Sequence, residues 1–324
     1  MDDRRAFEIG SFKVAPGARK TVDLPVSVLS DHTPVKMSVH VIHGRRPGPV
    51  VFVSAAVHGD EVIGVEIARR VLRAPNLDTI KGTLLIIPIV NAFGFHSHSR
   101  YLPDRRDLNR SFPGSEKGSL AGRLANLFMT EIVCKADLGI DLHSAAIHRT
   151  NLPQIRVSPS KDDTMALAEA FGAPVILTSK LREGSLREAG QKKGVDILIY
   201  EAGEGLRFDE MAIRAGVSGI LRVLRKLGMI SGKGVTRPKV ASIHTSSSSW
   251  VRAHPHVKHR DLLRERRHSP HNGVRANRVR ACHLRKLSRP GRPDAAWTLC
   301  GPLERRLSER RSTGTNACGS HCRW

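Results

Sequence analysis

Residues 50–57, Val-Val-Phe-Val-Ser-Ala-Ala-Val, form an uncharged, valine-rich run that stops at His58-Gly59-Asp60-Glu61. A run of that length suits a strand buried on both faces, which requires helices on either side of its sheet. The next stretch supplies one, because residues 61–72 place Val62, Val65, Ile67, Ala68 and Leu72 near helical spacing with charges between them. The same alternation continues along the chain. Residues 83–90, 136–142 and 196–200 read as further strands, and 118–133, 163–171 and 208–227 as helices. Residues 34–43 alternate apolar and polar side chains as a half-buried strand does, and 44–48 are expected to form the turn that follows. This order predicts an α/β fold with a mixed, largely parallel central sheet flanked by helices.

Composition limits the alternatives. The 324 residues are 40% hydrophobic and 26% charged, which excludes collagenous, wholly disordered and membrane-spanning chains. The apolar runs are far shorter than the roughly 20 residues of a transmembrane helix. No apolar signal region follows Met1-Asp2-Asp3-Arg4-Arg5, so a cytoplasmic location is expected. The formal net charge of +23 would suit a polyanionic partner, but it is unevenly spread. Residues 254–324 hold 17 Lys and Arg against five Asp and Glu, a net of +12, together with four of the five cysteines. Charge therefore describes a tail more than the body, whose lone Cys134 fits a reducing compartment.

Four segments carry chemistry. At 58–61 a strand ends and a helix begins, the place where ligands bind in open α/β sheets. A His and a Glu three apart there can face one metal, and catalytic zinc commonly takes two His and one Glu. Gly59 would permit the tight backbone. Alone, the pattern is equally a helix N-terminus with its acids facing the macrodipole. Asp137-Leu138-Gly139-Ile140-Asp141-Leu142-His143 is a second apolar strand ending in His, which is either the third ligand or a hydrogen-bonded core histidine. Arg100-Tyr101 and Asp107-Leu108-Asn109-Arg110 carry basic groups suited to a carboxylate or a developing oxyanion, or to a solvated, salt-bridged loop. Tyr200-Glu201-Ala202-Gly203 brings one carboxylate into a glycine-rich turn, as a general base or as a partner for an arginine.

Together these segments resemble the succinylglutamate desuccinylase/aspartoacylase family, relatives of the zinc carboxypeptidases, in its bacterial branch. The motifs stand in the family's order: HGDE at 58–61, SRYLPDRRDLNRSFPG at 99–114, IDLHS at 140–144 and YEAGEG at 200–205. The resemblance covers roughly residues 40–253. It implies one zinc per chain held by His58, Glu61 and His143, with Asp107 orienting His58. It further implies Glu201 as the base that activates water and then protonates the leaving nitrogen, and Arg100 as the group that polarises the scissile carbonyl. Asn109 and Arg110 would grip the substrate carboxylate. Arg105 stands where the family pattern leads one to expect glycine. Residues 149–154 look family-like and are expected to line the pocket. His96, His98 and His148 read as polar loop residues. The implied reaction is removal of a succinyl, acetyl or similar acyl group from an N-acyl amino acid by metal-activated water. A homo-oligomer is left open.

Two other readings compete. A metallocarboxypeptidase would use similar chemistry on a polypeptide. A nucleic-acid-binding protein would use the arginines of the tail, but residues 254–324 offer Trp297 and Trp324 and no Phe or Tyr for base stacking. The Cys318-Gly-Ser-His321-Cys322 cluster matches no strong zinc spacing. The expected organisation is a zinc-dependent catalytic domain over 1–230, the start of a C-terminal β-domain over 231–253, and a tail over 254–324. That tail has no Ile, Phe, Tyr or Met and shows no apolar period, as an out-of-frame reading of a GC-rich coding region would. It is expected to be disordered, since so few apolar groups cannot offset an ordering entropy of about 1–2 kcal/mol per residue.

Overall fold

A computed structural model of the chain describes residues 4–232, 235, 241–247, 249–252 and 296–299. A short antiparallel hairpin, β1 (Phe7–Ile9) with β2 (Phe12–Val14), precedes the main sheet. That sheet is built from β3 (Arg19–Val28), β4 (Pro34–His43), β5 (Arg46–Ala55), β6 (Lys81–Ile87), β7 (Leu138–Ala145), β8 (Arg149–Val157), β9 (Val175–Thr178), β10 (Asp196–Glu204) and β11 (Ile243–Thr245). Their spatial order is β11-β9-β8-β10-β7-β5-β6-β4-β3. The middle of the sheet, β10-β7-β5-β6, is parallel throughout, as are β11-β9-β8. The pairs β8/β10, β6/β4 and β4/β3 are antiparallel, which makes the sheet mixed as expected.

Helices cover both faces because the central strands alternate between two apolar cores. Val51, Val53 and Ala55 of β5 enter one core, and Phe52 between them enters the other. The first core is closed by α1 (Ile63–Leu72), α4 (Asp162–Phe171) and α6 (Glu210–Lys226). The second is closed by α3 (Leu120–Glu131) and α5 (Leu186–Lys192). A short helix, α2 (Ala92–His96), lies beside the end of β5. The same alternation has a consequence for chemistry. Ile140 and Leu142 of β7 and Leu198, Tyr200 and Ala202 of β10 all belong to the first core. With a side-chain period of two, Asp141, His143 and Glu201 therefore stand together on the opposite face.

The expected strands and helices are all present, with ends shifted by a few residues; β4 spans 34–43 as read. Residues 44–48 depart from expectation, because β5 already begins at Arg46, whose backbone pairs with Lys81 of β6. The strands β3, β8 and β9 and helix α5 were not read from the sequence. The body contains no helix among the described residues long and apolar enough to cross a membrane. The expectation of disorder over 254–324 falls largely outside the described residues. Within that span Ala296–Leu299 forms a strand, β13, antiparallel to β12 (Ser249–Arg252) and parallel to the start of β8. Its Ala-Trp-Thr-Leu sequence brings strand-favouring Trp and Thr to a stretch otherwise dominated by arginine.

Helix α6 approaches helix α4 through glycine. A Cβ on Gly219 would lie 2.2–2.4 Å from three atoms of the Phe171 ring, and Phe171 is fully buried. Gly219→Ala should gain about 0.8–1.0 kcal/mol of helix propensity. Overpacking a tight core costs about 1–3 kcal/mol, so the net effect is expected to be destabilising. Urea denaturation should show a lower midpoint, and a raised midpoint would contradict this account of the packing.

Candidate metal centre

The chain leaves β5 through a strained corner. Ala56 is buried and takes a φ of 49°, a left-handed conformation unusual for alanine. The hydrogen bonds Val90 N–H to Ala55 O and Asn91 N–H to Ala56 O, both 3.0 Å, hold it there. Gly59 is needed for close approach and not for a special φ, since a Cβ there would fall 1.8 Å from the carbonyl carbon of Gly94 on α2. The corner aims His58 sideways, and the turn closed by Glu61 N–H to His58 O at 3.2 Å returns Glu61 beneath it. His143 arrives from the end of neighbouring β7.

These three side chains converge. Glu61 Oε1 lies 2.7 Å from His58 Nδ1, and Glu61 Oε2 lies 2.7 Å from His143 Nδ1. One donor atom from each of the three falls within 4.8 Å of the others, and all three residues are buried. The outward nitrogens are held by carboxylates as well: His58 Nε2 is 3.1 Å from Asp107 Oδ1, and His143 Nε2 is 2.6 Å from Asp141 Oδ2. Ser54 Oγ–H donates to the other Asp141 oxygen at 2.6 Å. Carboxylates behind ligating imidazoles fix ring orientation and tautomer, the usual support of a metal site.

Charge supports the same reading. Burial opposes charge on every member, yet the interactions outweigh it. Burial disfavours protonated His58, while Glu61 and Asp107 lift its pKa above the ordinary imidazole value. Burial likewise opposes His143, and Asp141 with Glu61 raises it well above that value. Against its own burial, Glu61 is held far below the usual carboxylate range by the two histidines. Asp60 beside them is raised, first by burial and then by the Glu61 charge. Three carboxylates, Glu61, Asp107 and Asp141, touch the two imidazoles, and among the described residues Arg100 bonds to two of them, Glu61 and Asp107. With neutral imidazoles that leaves two negative charges unbalanced. Two imidazoles, a carboxylate and that charge deficit fit a divalent cation.

The other expected site residues fall around this centre. Arg100 donates through Nε and Nη2 to Asp107 Oδ2 at 3.2 and 3.0 Å, and through Nη1 to Glu61 Oε1 at 3.4 Å. Asp107 Oδ1 also accepts from Asn109 N–H at 2.8 Å. Asn109 Oδ1 is occupied by Leu186 N–H at 2.9 Å, which ties this loop to the first turn of α5. Arg110 is exposed and donates to the carbonyl of Asn109. Glu201 lies beside His143 in the parallel register of β10 and β7. Its Oε2 accepts from Asn151 Nδ2 at 2.6 Å, and its Oε1 lies 3.7 Å from Arg156. Within the expected pocket segment 149–154, Asn151 reaches the site through Glu201. His96, His98 and His148 are exposed and outside the cluster. Arg105 takes a φ of 61°, which is the backbone reason for glycine at that place.

Sequence reading missed Asp141, Arg156 and Arg187. An aspartate inside an otherwise apolar strand was a signal for the first. The two arginines carry none, because their place depends on β8 and α5.

A model of the succinylglutamate desuccinylase/aspartoacylase catalytic domain matches residues 47–227. The chain is 27% identical over 198 residues to the N-alpha-acetyl-L-2,4-diaminobutyric acid deacetylase of Halomonas elongata. That match covers 58% of this chain and 58% of the deacetylase, so it spans less than two thirds of the curated relative. A succinylglutamate desuccinylase/aspartoacylase crystal structure from Rhodobacter sphaeroides superposes with a TM-score of 0.62 at 27% identity, covering 70% of this chain and 72% of that one. The product-bound ectoine utilization protein EutE (DoeB) of Ruegeria pomeroyi superposes at 0.63 with 25% identity, covering 73% and 74%.

If Asp107 and Asp141 orient the imidazoles, Asp107→Asn and Asp141→Asn should each weaken divalent-metal affinity by about 10–100-fold. Competition with a chromogenic chelator measures this. Wild-type affinity in both variants would show that the carboxylates do not support the site.

Proposed function

The chain belongs to the succinylglutamate desuccinylase/aspartoacylase family, and on that footing we propose that it is a zinc-dependent hydrolase. It removes an acyl group from an N-acyl amino acid. The observation that carries this reading is the pairing of the His58–Glu61–His143 cluster with Glu201 on the adjacent strand, one side chain from His143. A metal-ligand set next to a separate carboxylate is the arrangement that hydrolysis of an amide requires.

His58, Glu61 and His143 would hold a zinc ion, which would supply Lewis acidity and lower the pKa of water to about 7. The chain's own groups do the rest. Asn151 is hydrogen-bonded to Glu201 Oε2, so Oε1, with Arg156 3.7 Å away, is the oxygen that accepts the proton of the attacking water. The same carboxyl then passes that proton to the leaving nitrogen, which departs as the free amine. Arg100 has its Nε and Nη2 fixed on Asp107 and one Nη1 N–H turned to Glu61 at 3.4 Å, and the second Nη1 N–H donates to the oxyanion that develops on the scissile carbonyl. Exposed Arg110, beside Asn109, receives the carboxylate of the amino acid. The products are a carboxylate and an amino acid.

Two variants test this. His143→Ala should lose most bound zinc by metal analysis, since a three-ligand site reduced to two holds the ion poorly. Glu201→Gln should keep zinc and fold while losing at least about 100-fold in deacylation, the scale of general-base loss. Full zinc in the first variant overturns the ligand set. Near-normal turnover in the second assigns the base to another group.

A further inference from the structure

Among the described residues eight large apolar side chains are exposed, and four of them fall in two adjoining segments. Ile147 lies between β7 and β8, while Leu206, Phe208 and Met211 follow the end of β10 into the first turn of α6. Phe208 is 69% exposed and the other three 41–47%. Single exposed apolar side chains are ordinary, but a cluster of them marks a binding surface. The two segments are joined by their backbones and by one carboxylate. A Cβ on Gly205 would meet backbone atoms of residues 145–147 at 3.1–3.4 Å. Glu204 Oε1 accepts from His148 N–H at 2.9 Å, and its Oε2 pairs with Arg207 Nε at 3.1 Å. These polar groups satisfy one another, and the apolar side chains are left to solvent.

The patch is continuous with the metal centre. Leu206 N–H donates to the carbonyl of Asp60, next to Glu61, at 2.8 Å, and Ala145, whose carbonyl Gly205 approaches, is two residues past His143. Leu206 and His148 take φ of 56° and 63°, a left-handed backbone that disfavours bulky side chains. Strain of that kind concentrates at ligand sites. Direction follows from charge. Arg110 sits on the loop that Asn109 ties to α5, on the face of the second core. Buried Arg187 stands in the first turn of α5, its Nη2 on Ser179 Oγ and the Lys180 carbonyl at 3.1 Å. The charged end of a substrate is drawn to that side. Residues 205–209 instead lead into α6, over the first core. An N-acyl amino acid held at Arg110, with its amide at the metal centre, therefore sends its acyl group toward Leu206 and Phe208.

We propose that Ile147, Leu206, Phe208 and Met211 bind an uncharged, apolar acyl chain, so that the enzyme prefers N-acyl amino acids whose acyl group is longer than acetyl. This rests on the deacylase reading and names the acyl group that its site takes.

The experiment measures kcat/KM of the zinc-loaded full chain on N-acetyl-, N-butyryl- and N-hexanoylalanine. The value should rise with acyl length, by at least about tenfold from acetyl to hexanoyl, since each methylene removed from water favours binding. Phe208→Ser and Leu206→Gly should each lower the hexanoyl-to-acetyl ratio at least about threefold, mainly through KM. Glycine suits the left-handed backbone at 206, so the second variant keeps the loop. Val28→Ser removes an exposed apolar side chain at the end of β3 and should leave the ratio unchanged. Turnover that does not rise with acyl length, an unchanged ratio in both patch variants, or an equal loss in Val28→Ser overturns the proposal and leaves the deacylase reading standing. Gel filtration covers the other occupant: if Phe208→Ser turns a dimer into a monomer without altering the ratio, the patch belongs to a second copy and the proposal falls. A thermal-shift titration keeps the two readings apart. Hexanoate should stabilise the wild type more than acetate does, and should lose that advantage in Phe208→Ser. If no substrate is turned over yet this shift is present, the apolar site stands and the deacylase reading falls. If the shift is also absent, both fall.

Discussion

The Glu61 carboxylate bridges His58 and His143, with each of its oxygens 2.7 Å from a different imidazole and Ser144 N–H donating to Oε2 at 3.1 Å. Three chain segments distant in sequence meet on this one side chain. It is almost wholly buried, and it persists as an anion because positive charge surrounds it. A buried carboxylate without such partners would be strongly disfavoured. It is delivered by the turn that follows the strained corner at Ala56 and the glycine contact with α2, and it accepts from Arg100 of the loop that also carries Asp107.

The sheet supplies the rest of the precision. Parallel pairing of β10 with β7 places Glu201 beside His143, and pairing of β7 with β5 sets the two ligand-bearing strand ends side by side. Because alternate residues of β7 and β10 are fixed in the first apolar core, a register slip of one residue would bury Asp141, His143 and Glu201 in it. Burial of Ile140, Leu142, Leu198 and Tyr200 thus determines which face carries the chemistry. Tyr200 is anchored further by its hydroxyl, which donates to the Ala212 carbonyl at 2.7 Å.

The central strands and the ligand motifs were legible because each is local. A valine-rich run, a helical stripe and a His-x-x-Glu spacing are complete within a dozen residues. Strand β8 was harder, because Arg-Thr-Asn-Leu-Pro-Gln-Ile-Arg-Val contains a proline and faces polar side chains toward Glu201. Helix α5 is only seven residues long and includes a glycine, so its apolar period is weak. The reason for Gly59 was misread, since close approach of a second backbone leaves no mark in local sequence. Arg187 stood out only once burial and partners were known.

Anomalous diffraction at the zinc edge, on crystals of the zinc-loaded chain, tests the central claim most directly. The account predicts a single zinc peak bonded to Nδ1 of His58, Nδ1 of His143 and the Glu61 carboxylate, with Asp107 and Asp141 still on the Nε2 atoms. A zinc coordinated elsewhere, or bound through the Nε2 atoms with the two aspartates displaced, would contradict it.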